Sequence, residues 1–341
     1  MATGRHEAAL WKPAAESYVD CFLCGHRCHI GPGQRGVCRV RENQGGTLAT
    51  LVYGCVIARH VDPIEKKPLF HFLPGSRAYS IATVGCNFQC GFCQNWQISQ
   101  WPRASAGGMP GEAVAPEEVV ADARRYQCAS ISYTYTEPTI FFEYARDVAL
   151  LARQAGLKNN FVTNGFMTAE ALQEMRGWLD AANVDLKAWQ DAFYRKVCKA
   201  RIGPVKDSIR RMHEMGVWVE VTTLLVPGQN DDPADMKGIA EFLASISPDM
   251  PWHVSRYHPD FEMSEPPATP IETLELAVRI GREAGLRYVY GGNVGQMEDT
   301  VCPSCGTAVI ARLGFSIVGR NLRGAACGKC GTAIPLILEC Q

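Results

Sequence analysis

The grouping of its fifteen cysteines constrains this 341-residue chain more than any other feature. Eleven of them form three tight clusters: Cys21, Cys24, Cys28 and Cys38; Cys86, Cys90 and Cys93; and Cys302, Cys305, Cys327 and Cys330. The first residues lack the apolar stretch of a signal peptide, which predicts a cytoplasmic, reducing location. In such a compartment clustered cysteines indicate bound metal rather than disulfides. The other four, Cys55, Cys128, Cys198 and Cys340, are expected to be buried or incidental thiols.

Composition excludes several classes of protein. Hydrophobic residues make up 47% and charged residues 20%, which favours a packed core over a disordered chain. Lys and Arg number 34 against 35 Asp and Glu, so the chain lacks the basic balance of a general nucleic-acid binder. Because there is no run of 18 apolar residues, no transmembrane helix is expected.

Short apolar runs alternate with helix-like segments from residue 78 onwards. The strand-like runs are 78–84, 129–133, 160–163, 182–186, 217–226, 252–257 and 287–291. The helix-like segments are 116–126, 139–156, 168–180, 204–216, 233–246 and 269–285. This alternation predicts βα units and hence a parallel sheet. Six or seven units fit a barrel or partial barrel, and a flat doubly wound sheet is the alternative that periodicity leaves open.

The cysteines and the alternation together divide the chain into three predicted parts. Residues 1–77 form a four-cysteine module with a connecting segment, residues 78–296 an α/β partial (β/α)6-type TIM barrel, and residues 297–341 a module resembling a zinc ribbon. The fold class predicted is therefore α/β, with a small metal-binding module at each end.

The central cysteine cluster lies in the segment GCNFQCGFC, directly after the first predicted strand of the barrel. Its C-x3-C-x2-C spacing lets three thiolates hold three irons of a [4Fe–4S] cluster and leaves one iron open for a ligand. A structural zinc site is the alternative, but it needs four ligands, and the next Cys or His is Cys128. The loop follows the carboxyl end of a strand, where α/β barrels place their active sites.

This motif, with the aromatic Phe92 before its third cysteine, resembles the signature of the radical S-adenosylmethionine (SAM) enzymes. The strings VDPIEKKPLFHFLPGS and ATVGCNFQCGFCQNWQISQ resemble the branch related to pyruvate formate-lyase activating enzyme, and specifically the AmmeMemoRadiSam family, over about residues 20–335. Many of these relatives have Pro where Gly91 stands. The resemblance implies that SAM chelates the open iron and is cleaved reductively. The resulting 5′-deoxyadenosyl radical abstracts hydrogen from a C–H bond of a protein, a peptide or a small molecule.

The resemblance also assigns residues to the cofactor site, beside Phe92. They are Thr134, Thr136 and Glu137 after the second strand, Thr163 and Asn164 after the third, Asp185 and Lys187 after the fourth, and His258 after the sixth. Glu137 occupies the place of the family motif that holds the methionine amino group, where a carboxylate suits a nearby cation.

Each of these assignments has a plainer alternative. Glu137 and Pro138 could simply begin a helix, Asn164 and Gly165 are an ordinary turn pair, and Asp185 with Lys187 could form a salt bridge. A lone His258 is often only a satisfied hydrogen-bonding residue. Gln94, Asn95 and Trp96 are expected to shield the cluster, with simple packing as the alternative for Trp96.

The two outer cysteine sets each offer four thiolates. Two CxxCG knuckles, Cys302 with Cys305 and Cys327 with Cys330, predict a structural Zn²⁺ site, with rubredoxin-like iron or an auxiliary Fe–S cluster as alternatives. The N-terminal set fits zinc or a second [4Fe–4S] cluster, with zinc slightly favoured and His26 as an alternative ligand. The neighbouring Arg27, Arg35, Arg39 and Arg41 are expected on a solvated face, or else to bind an anionic partner.

Partners follow from the resemblance alone. It implies a flavodoxin- or ferredoxin-like electron donor and partners of the AMMECR and Memo types. Within the enzyme class, activation of a glycyl radical enzyme is one alternative. A different alternative is a metal-loaded interaction protein without catalysis, which would not cleave SAM.

Overall fold

Short antiparallel strands make up the N-terminal part of the molecule. The computed structural model describes residues 4–105, 108–292, 294 and 298–338. The first strands are β1 Gly4–Glu7, β2 Trp11–Pro13, β3 Val19–Cys21, β4 His29–Ile30, β5 Arg41–Gln44, β6 Thr47–Tyr53 and β7 Cys55–Val56. The first six of them form two small sheets, ordered β1-β6-β5 and β2-β3-β4. The N-terminal cysteines lie at the end of β3 and in the loops that lead to β5.

The central sheet is built from the strands that follow. These are β8 Ala58–Pro63, β9 Arg77–Ala82, β10 Glu112–Ala113, β11 Ser130–Tyr133, β12 Lys158–Thr163, β13 Ala181–Asp185, β14 Trp218–Leu225, β15 Trp252–Arg256 and β16 Val289–Gly292. Its order is β16-β15-β14-β13-β12-β11-β9-β8, while β10 pairs with β7 outside it. Neighbouring strands from β9 to β16 run parallel, and Ser132 lies opposite both Ser80 and Asn160. Only β8 runs antiparallel in this sheet, against β9.

Helices connect the parallel strands. They are α1 Trp96–Ser99, α2 Trp101–Ala104, α3 Pro116–Arg125, α4 Phe142–Gln154, α5 Ala169–Met175, α6 Asp191–Phe193, α7 Ile202–Glu214, α8 Pro233–Ile246 and α9 Ile271–Glu283. Pro116 occupies the first turn of α3, where its missing N–H costs nothing, and the Thr168 hydroxyl accepts from Ala171 N to cap α5. In the part of the chain that the structure describes, no helix is both long and apolar enough to cross a bilayer.

The observed topology confirms the expected parallel α/β sheet. Because each crossover returns to the same edge, the carboxyl ends of β9 and β11–β15 lie together, and the loops after them share one face. Among the described residues β8 and β16 are the two edges of an open sheet. β8 belongs to the central sheet although it precedes residue 78. The boundary at residues 296 and 297 lies outside the described residues, as does Cys340, so the three-part division stays a prediction.

The C-terminal residues pack against the opposite, amino-terminal end of the central strands. Their strands are β17 Thr300–Val301, β18 Ala308–Leu313, β19 Ser316–Arg320, β20 Leu322–Arg323 and β21 Ala326–Cys327. The buried Arg312 guanidinium donates to Phe70 O and Thr300 Oγ1, each at 2.8 Å, and lies 4.3 Å from the centre of the Phe70 ring. Arg312 therefore joins this segment to the loop between β8 and β9.

A buried polar network lies beside this junction. Glu220 accepts hydrogen bonds from Phe70 N and His71 N, and its carboxylate lies 2.7 Å from His253 Nε2. His71 Nδ1 lies 2.9 Å from Pro335 O, and its Nε2 lies 2.6 Å from the Tyr290 hydroxyl. Because a carbonyl only accepts, Nδ1 carries a proton, and because burial lowers the pKa of the ring, Nε2 is unprotonated and accepts from Tyr290. His71 is thus held neutral.

We expect His71 to make stability depend on pH. Burial lowers the pKa of His71 to about 4 from its usual 6.5. Between these values the unfolded chain binds a proton that the folded chain does not. The stability that neutral His71 contributes is therefore complete above pH 6.5 and is lost as pH falls. Urea unfolding should show that His71→Gln reduces the loss of stability between pH 7 and pH 5 by about 2 kcal/mol. Equal losses in the variant and the native chain would contradict this role.

Candidate active site

The loop after β9 carries the central cysteines to the carboxyl edge of the sheet. Gly85 begins it with φ +106°, and a Cβ there would lie 2.8 Å from Val40 Cγ1, so only glycine fits. Phe88 N donates to Cys86 Sγ at 3.3 Å, and Ser99 Oγ lies 3.2 Å from Cys93 Sγ. Polar hydrogens directed at sulfur are typical of thiolates that ligate metal.

A cavity of about 520 Å³ opens beside these cysteines, within the usual range for small-molecule sites. Residues that the sequence assigned to the cofactor site line it: Cys86, Cys90, Phe92, Cys93, Thr134, Thr136, Glu137, Thr163, Asn164, Asp185 and Lys187. They come from the ends of four parallel strands, which explains why residues about 100 positions apart share one wall. Gln94 and Asn95 also line the cavity, which agrees with the position beside the cluster that was expected for them.

Glu137 is a buried centre of hydrogen bonds at the end of β11. Its Oε1 accepts from Thr139 N and from the hydroxyls of Thr139 and Thr163, while Oε2 accepts from Asn164 N at 2.8 Å. Burial raises the pKa of this carboxyl, although these donors oppose the shift. Its bond to Thr139 N also caps the short 3₁₀ turn Pro138–Phe141, so the helix-start alternative is confirmed. The contact with a methionine amino group stays a prediction.

The polar groups after β12 lie against the cysteine loop. Asn164 Nδ2 donates to Asn87 Oδ1 at 2.7 Å and lies 3.8 Å from Cys86 Sγ. Phe166 N donates to Asn164 Oδ1 at 3.0 Å and Gly165 has φ +67°, so the pair Asn164 and Gly165 also forms an Asx turn. Within the described residues the buried Asn87 Nδ2 has no hydrogen-bond partner. An unpaired donor next to Cys86 fits a bound group with acceptor atoms, as a cluster carrying SAM would provide.

Asp185 and Lys187 form an ion pair in the cavity wall. Their Oδ2 and Nζ atoms are 2.9 Å apart, which confirms the salt-bridge alternative, and Nζ lies 5.6 Å from the Phe92 ring centre. Burial opposes protonation of Lys187, but Asp185 and the nearby thiols outweigh it and raise its pKa. The pair therefore places a charged lysine between the fourth strand and the cysteine loop.

His258 is the one predicted cofactor contact that does not line the cavity. It lies exposed at the surface, where its Nε2 is 3.0 Å from Gln94 Nε2. This position fits the alternative interpretation of His258 as a hydrogen-bonding residue without a cofactor role. Trp96 stacks on Phe261 with ring centres 5.1 Å apart, which is the packing role that was left open for it.

Sequence reasoning missed a charged group on the cavity wall. Lys66 and Lys67 both line the cavity, and their ammonium groups lie 2.8 and 2.6 Å from the two oxygens of Asp62. The Tyr135 hydroxyl also donates to Asp62. Burial opposes ionisation of Asp62, but these donors lower its pKa, while burial lowers the pKa of Lys67 to about 8. The segment VDPIEKKP contained these residues, but only the pairing of β8 with β9 places them here.

Cys198 is a second residue that the sequence did not assign to the site. It is fully buried at the end of the π-helical turn Tyr194–Cys198, as expected for an incidental thiol. Its carbonyl, however, accepts from Gln89 N at 3.0 Å, and its thiol lies near enough to Cys90 to raise the pKa of that cysteine. No local pattern in the sequence signals this contact. Cys55 and Cys128 are buried thiols, as expected.

The C-terminal cysteines have the geometry of a single-ion site. Cys302 Sγ lies 3.6 Å from Cys330 Sγ, and Cys305 Sγ lies 3.7 Å from Cys327 Sγ. All four sulfurs lie within 4.8 Å of one another. Tetrahedral zinc with Zn–S bonds of about 2.3 Å puts its sulfurs about 3.8 Å apart. These four residues therefore fit one tetrahedral ion.

The N-terminal cysteines are arranged more widely. Within the described residues, only the C-terminal set brings three or more Cys, His, Asp or Glu ligand atoms within 4.8 Å of one another. Cys21 and Cys38 are buried, and Cys24 and Cys28 are partly buried. The alternative ligand His26 directs its Nε2 to Asn87 O at 2.8 Å.

The arginines near this set are mostly paired. Arg41 is buried and forms an ion pair with the equally buried Glu143. Both predictions for Arg41, a position on a solvated face and the binding of an anionic partner, are therefore wrong. The reason is that β5 packs against α4, and each element supplies one charge. Arg27 and Arg35 pair with Glu170 and Glu42. Arg39 alone of the four is exposed with no ion pair among the described residues.

Comparison with known proteins gives this domain its family. Residues 80–243 match the radical SAM superfamily model. An uncharacterised protein of Methanocaldococcus jannaschii is 43% identical over 337 residues, covering 97% of this chain and 99% of its own. The chain belongs to the radical SAM superfamily. It is therefore an enzyme of the radical SAM class, and the family implies a [4Fe–4S] cluster and SAM.

Solved radical SAM structures share the fold. A radical SAM methyltransferase from Sphaerobacter thermophilus aligns over 65% of this chain and 68% of its own, with TM-score 0.51 and 18% identity. SuiB from Streptococcus suis, bound to SAM, aligns over 67% of this chain and 53% of its own, with TM-score 0.51 and 11% identity. At these identities the likeness concerns the radical SAM fold and not the substrate.

Proposed function

We propose that Cys86, Cys90 and Cys93 hold a [4Fe–4S] cluster at which SAM is cleaved reductively, and that the enzyme abstracts hydrogen from a C–H bond. The observation that supports this most is convergence: the three thiols, Glu137 and the polar ends of β12 and β13 line one cavity. The hydrogen donor in this proposal belongs to a protein, a peptide or a small molecule.

The cluster and SAM, when bound, supply one-electron cleavage of the sulfonium and a strong hydrogen-abstracting group. The chain orients and protects them. Glu137 is the proposed partner of the methionine ammonium, because among the described residues its Oε2 accepts one hydrogen bond, whereas an ionised carboxylate oxygen can accept two. Thr134 and Thr136 line the same cavity as that carboxylate, and Asn164 lies beside Cys86. The apolar side chains Phe88, Phe92, Val162 and Leu224 line the same cavity and limit the access of water.

Finer features of the proposal follow from the family resemblance. The open parallel sheet is proposed to curve as a partial barrel around the cavity, with the AmmeMemoRadiSam family as the proposed branch. A flavodoxin- or ferredoxin-like protein supplies the electron, and AMMECR- and Memo-type proteins are proposed partners. Activation of a glycyl radical enzyme stays an alternative reaction at the same site. A non-catalytic interaction protein is not favoured, because such a protein has no need of the polar cavity beside the three cysteines.

The proposal is tested by anaerobic reconstitution with iron and sulfide. Reduction with dithionite in the presence of SAM should then yield 5′-deoxyadenosine and methionine, measured by liquid chromatography. Repeating the assay with candidate partner proteins should increase the yield if one of them donates the hydrogen. A fully loaded cluster that cleaves no SAM, with or without these partners, would overturn the proposal.

We also propose that the four C-terminal cysteines bind zinc as a structural ion. The supporting observation is the sulfur spacing of 3.6 and 3.7 Å. Elemental analysis should find that Cys327→Ser removes one zinc per chain, because a site with three thiolates loses most of its affinity. Cys128→Ser is the matched control, since Cys128 is also buried but lies outside the cysteine sets. Equal zinc in both variants, or iron in place of zinc, would contradict the assignment.

A further inference from the structure

We propose that Cys21, Cys24, Cys28 and Cys38 hold a second [4Fe–4S] cluster, which passes single electrons to the cluster site at Cys86, Cys90 and Cys93. The electron acceptor, the cluster at Cys86, Cys90 and Cys93, rests on the proposed function, whereas the presence of the second cluster does not.

Sulfur spacing separates the three cysteine sets of this chain. In a [4Fe–4S] cluster each thiolate binds a different iron, so the sulfurs stand farther apart than the about 3.8 Å found around one zinc. The C-terminal set has the close spacing of a single ion. The radical SAM triad and the N-terminal set, both within the described residues, do not. The N-terminal set therefore resembles the cluster-binding triad, and this spacing does not favour the zinc that the sequence slightly favoured.

The four N-terminal cysteines still form one group. Cys21 N donates to Cys28 O at 2.9 Å, and a Cβ on Gly36, two residues before Cys38, would lie 3.6 Å from Cys28 Sγ. Arg27 N donates to Cys24 O at 3.0 Å, so Cys24 and Cys28 share one turn of the chain. These cysteines are thus close together without the spacing of a single-ion site.

The surroundings of these sulfurs suit a redox cluster. The Arg41 guanidinium, only 1% exposed, donates to Cys21 Sγ at 3.4 Å, and its Nε has no partner among the described residues. A cation and hydrogen-bond donors beside the sulfurs stabilise the reduced, more negative state of a cluster.

The loops that carry the two cysteine sets are in direct contact. Arg103 Nη2 donates to Val37 O and to Cys86 O, each at 2.8 Å, so one nitrogen joins the neighbour of Cys38 to a ligand of the radical SAM site. A Cβ on Gly85 would lie 3.5 Å from Cys38 O. No layer of structure separates the two sites along this path, which is the arrangement that electron transfer needs.

The redox step balances with one external reductant. A one-electron donor of the flavodoxin or ferredoxin class, or dithionite in vitro, reduces the second cluster from the 2+ to the 1+ state. That cluster then returns to 2+ as it gives the electron to the cluster at Cys86, Cys90 and Cys93. No proton and no covalent bond moves in this transfer.

The second cluster is tested by metal analysis and Mössbauer spectroscopy of the full chain after reconstitution. The native chain should hold about eight irons, and a variant with Cys86, Cys90 and Cys93 all changed to Ala should keep about four in a [4Fe–4S] spectrum. Changing Cys24 and Cys28 to Ala should likewise remove about four, leaving the radical SAM cluster. A triple variant that binds zinc and no iron would overturn the second cluster. Because the triple variant cannot support SAM cleavage, this result is independent of the proposed function.

The transfer is tested by freeze-quench electron paramagnetic resonance with reduced flavodoxin as donor. The Cys24→Ala, Cys28→Ala variant should lose the fast phase of reduction of the radical SAM cluster while keeping that cluster's iron. Arg103→Gln, with both clusters loaded, should slow the same phase. An unchanged fast phase in the double cysteine variant would overturn the relay.

Discussion

Replacing Cys90 with alanine is expected to remove the iron at the loop after β9 and to abolish formation of 5′-deoxyadenosine. Changes outside the ligand set of a metal site already cost about 10–100-fold in affinity or activity, so loss of a ligand should cost at least about 100-fold. Cys90 lies in the wall of the cavity between the other two ligands along the chain, and two thiolates cannot hold three irons. Iron content and product yield, measured on the same sample, check this expectation.

Two further variants sharpen the Cys90 experiment. Cys128→Ala removes a buried thiol that lies outside the residues lining the cavity, and it should keep iron and activity. Cys198→Ala tests the thiol that contacts Cys90 and should keep the cluster. If Cys90→Ala keeps its iron and only the double variant with Cys198→Ala loses it, then Cys198 is a ligand, and the assignment of three cysteines is contradicted.

Replacing Arg41 with methionine should cause a large loss of stability, because it breaks a fully buried ion pair. Arg41 and Glu143 are both 1% exposed, and they connect β5 of the N-terminal part to α4, the helix that follows β11 of the central sheet. Arg41 also donates to Ala9 O at 2.9 Å, and Glu143 accepts from Ala9 N at 2.7 Å. Removing one partner leaves a buried charge without its counterion, which costs about 3–5 kcal/mol. Urea unfolding of the reconstituted protein measures this loss.

The control for Arg41 separates the broken pair from the lost side chain. A double variant, Arg41→Met with Glu143→Leu, removes both charges and should recover much of the stability that the single variant loses. The exposed pair of Arg195 and Asp191 offers a comparison on the surface, where Arg195→Met should cost less than about 1 kcal/mol. A loss as small as this in Arg41→Met would contradict a structural role for the buried pair.

The helices and strands of the central sheet follow from local pattern. Pro116 and Thr168 begin α3 and α5 as their chemistry predicts, and each strand-like run of the sequence overlaps an observed strand. The helix predicted at 168–180 ends early, at Met175, because Arg176 with ψ 126° and Gly177 with φ +87° leave the helical region. Local propensity and hydrophobic periodicity suffice to predict a helix or strand whose structure depends mainly on its own residues.

The cavity was predictable because topology follows from that alternation. Parallel strands place their carboxyl ends together, so Cys86, Glu137, Asn164 and Asp185 were expected on one face, and all of them line the cavity. His258 follows a strand in the same way, but it lies on the surface beside Gln94. The position after a strand predicts nearness to the site and does not fix the direction of a side chain.

Contacts between distant segments could not be predicted from the sequence. Arg41 and Glu143 are 102 residues apart, and no local pattern distinguishes them from charges on a solvated face. Lys66 and Lys67 reach the cavity only because β8 pairs antiparallel with the first parallel strand. Cys198 meets Cys90 through a π-helical turn between β13 and α7. In each case tertiary packing, and not local preference, decides the partner.

In the proposed function, the site at Cys86, Cys90 and Cys93 has an open iron that binds SAM. Electron–nuclear double resonance of the reduced protein, with SAM labelled by ¹⁵N at its amino group, tests it directly. Using the Cys24→Ala, Cys28→Ala variant ensures that the signal comes from one cluster. We predict a clear ¹⁵N coupling that disappears in Cys90→Ala. A fully loaded, reduced cluster that shows no coupling and no spectral change when SAM is added would contradict the binding of SAM at this site.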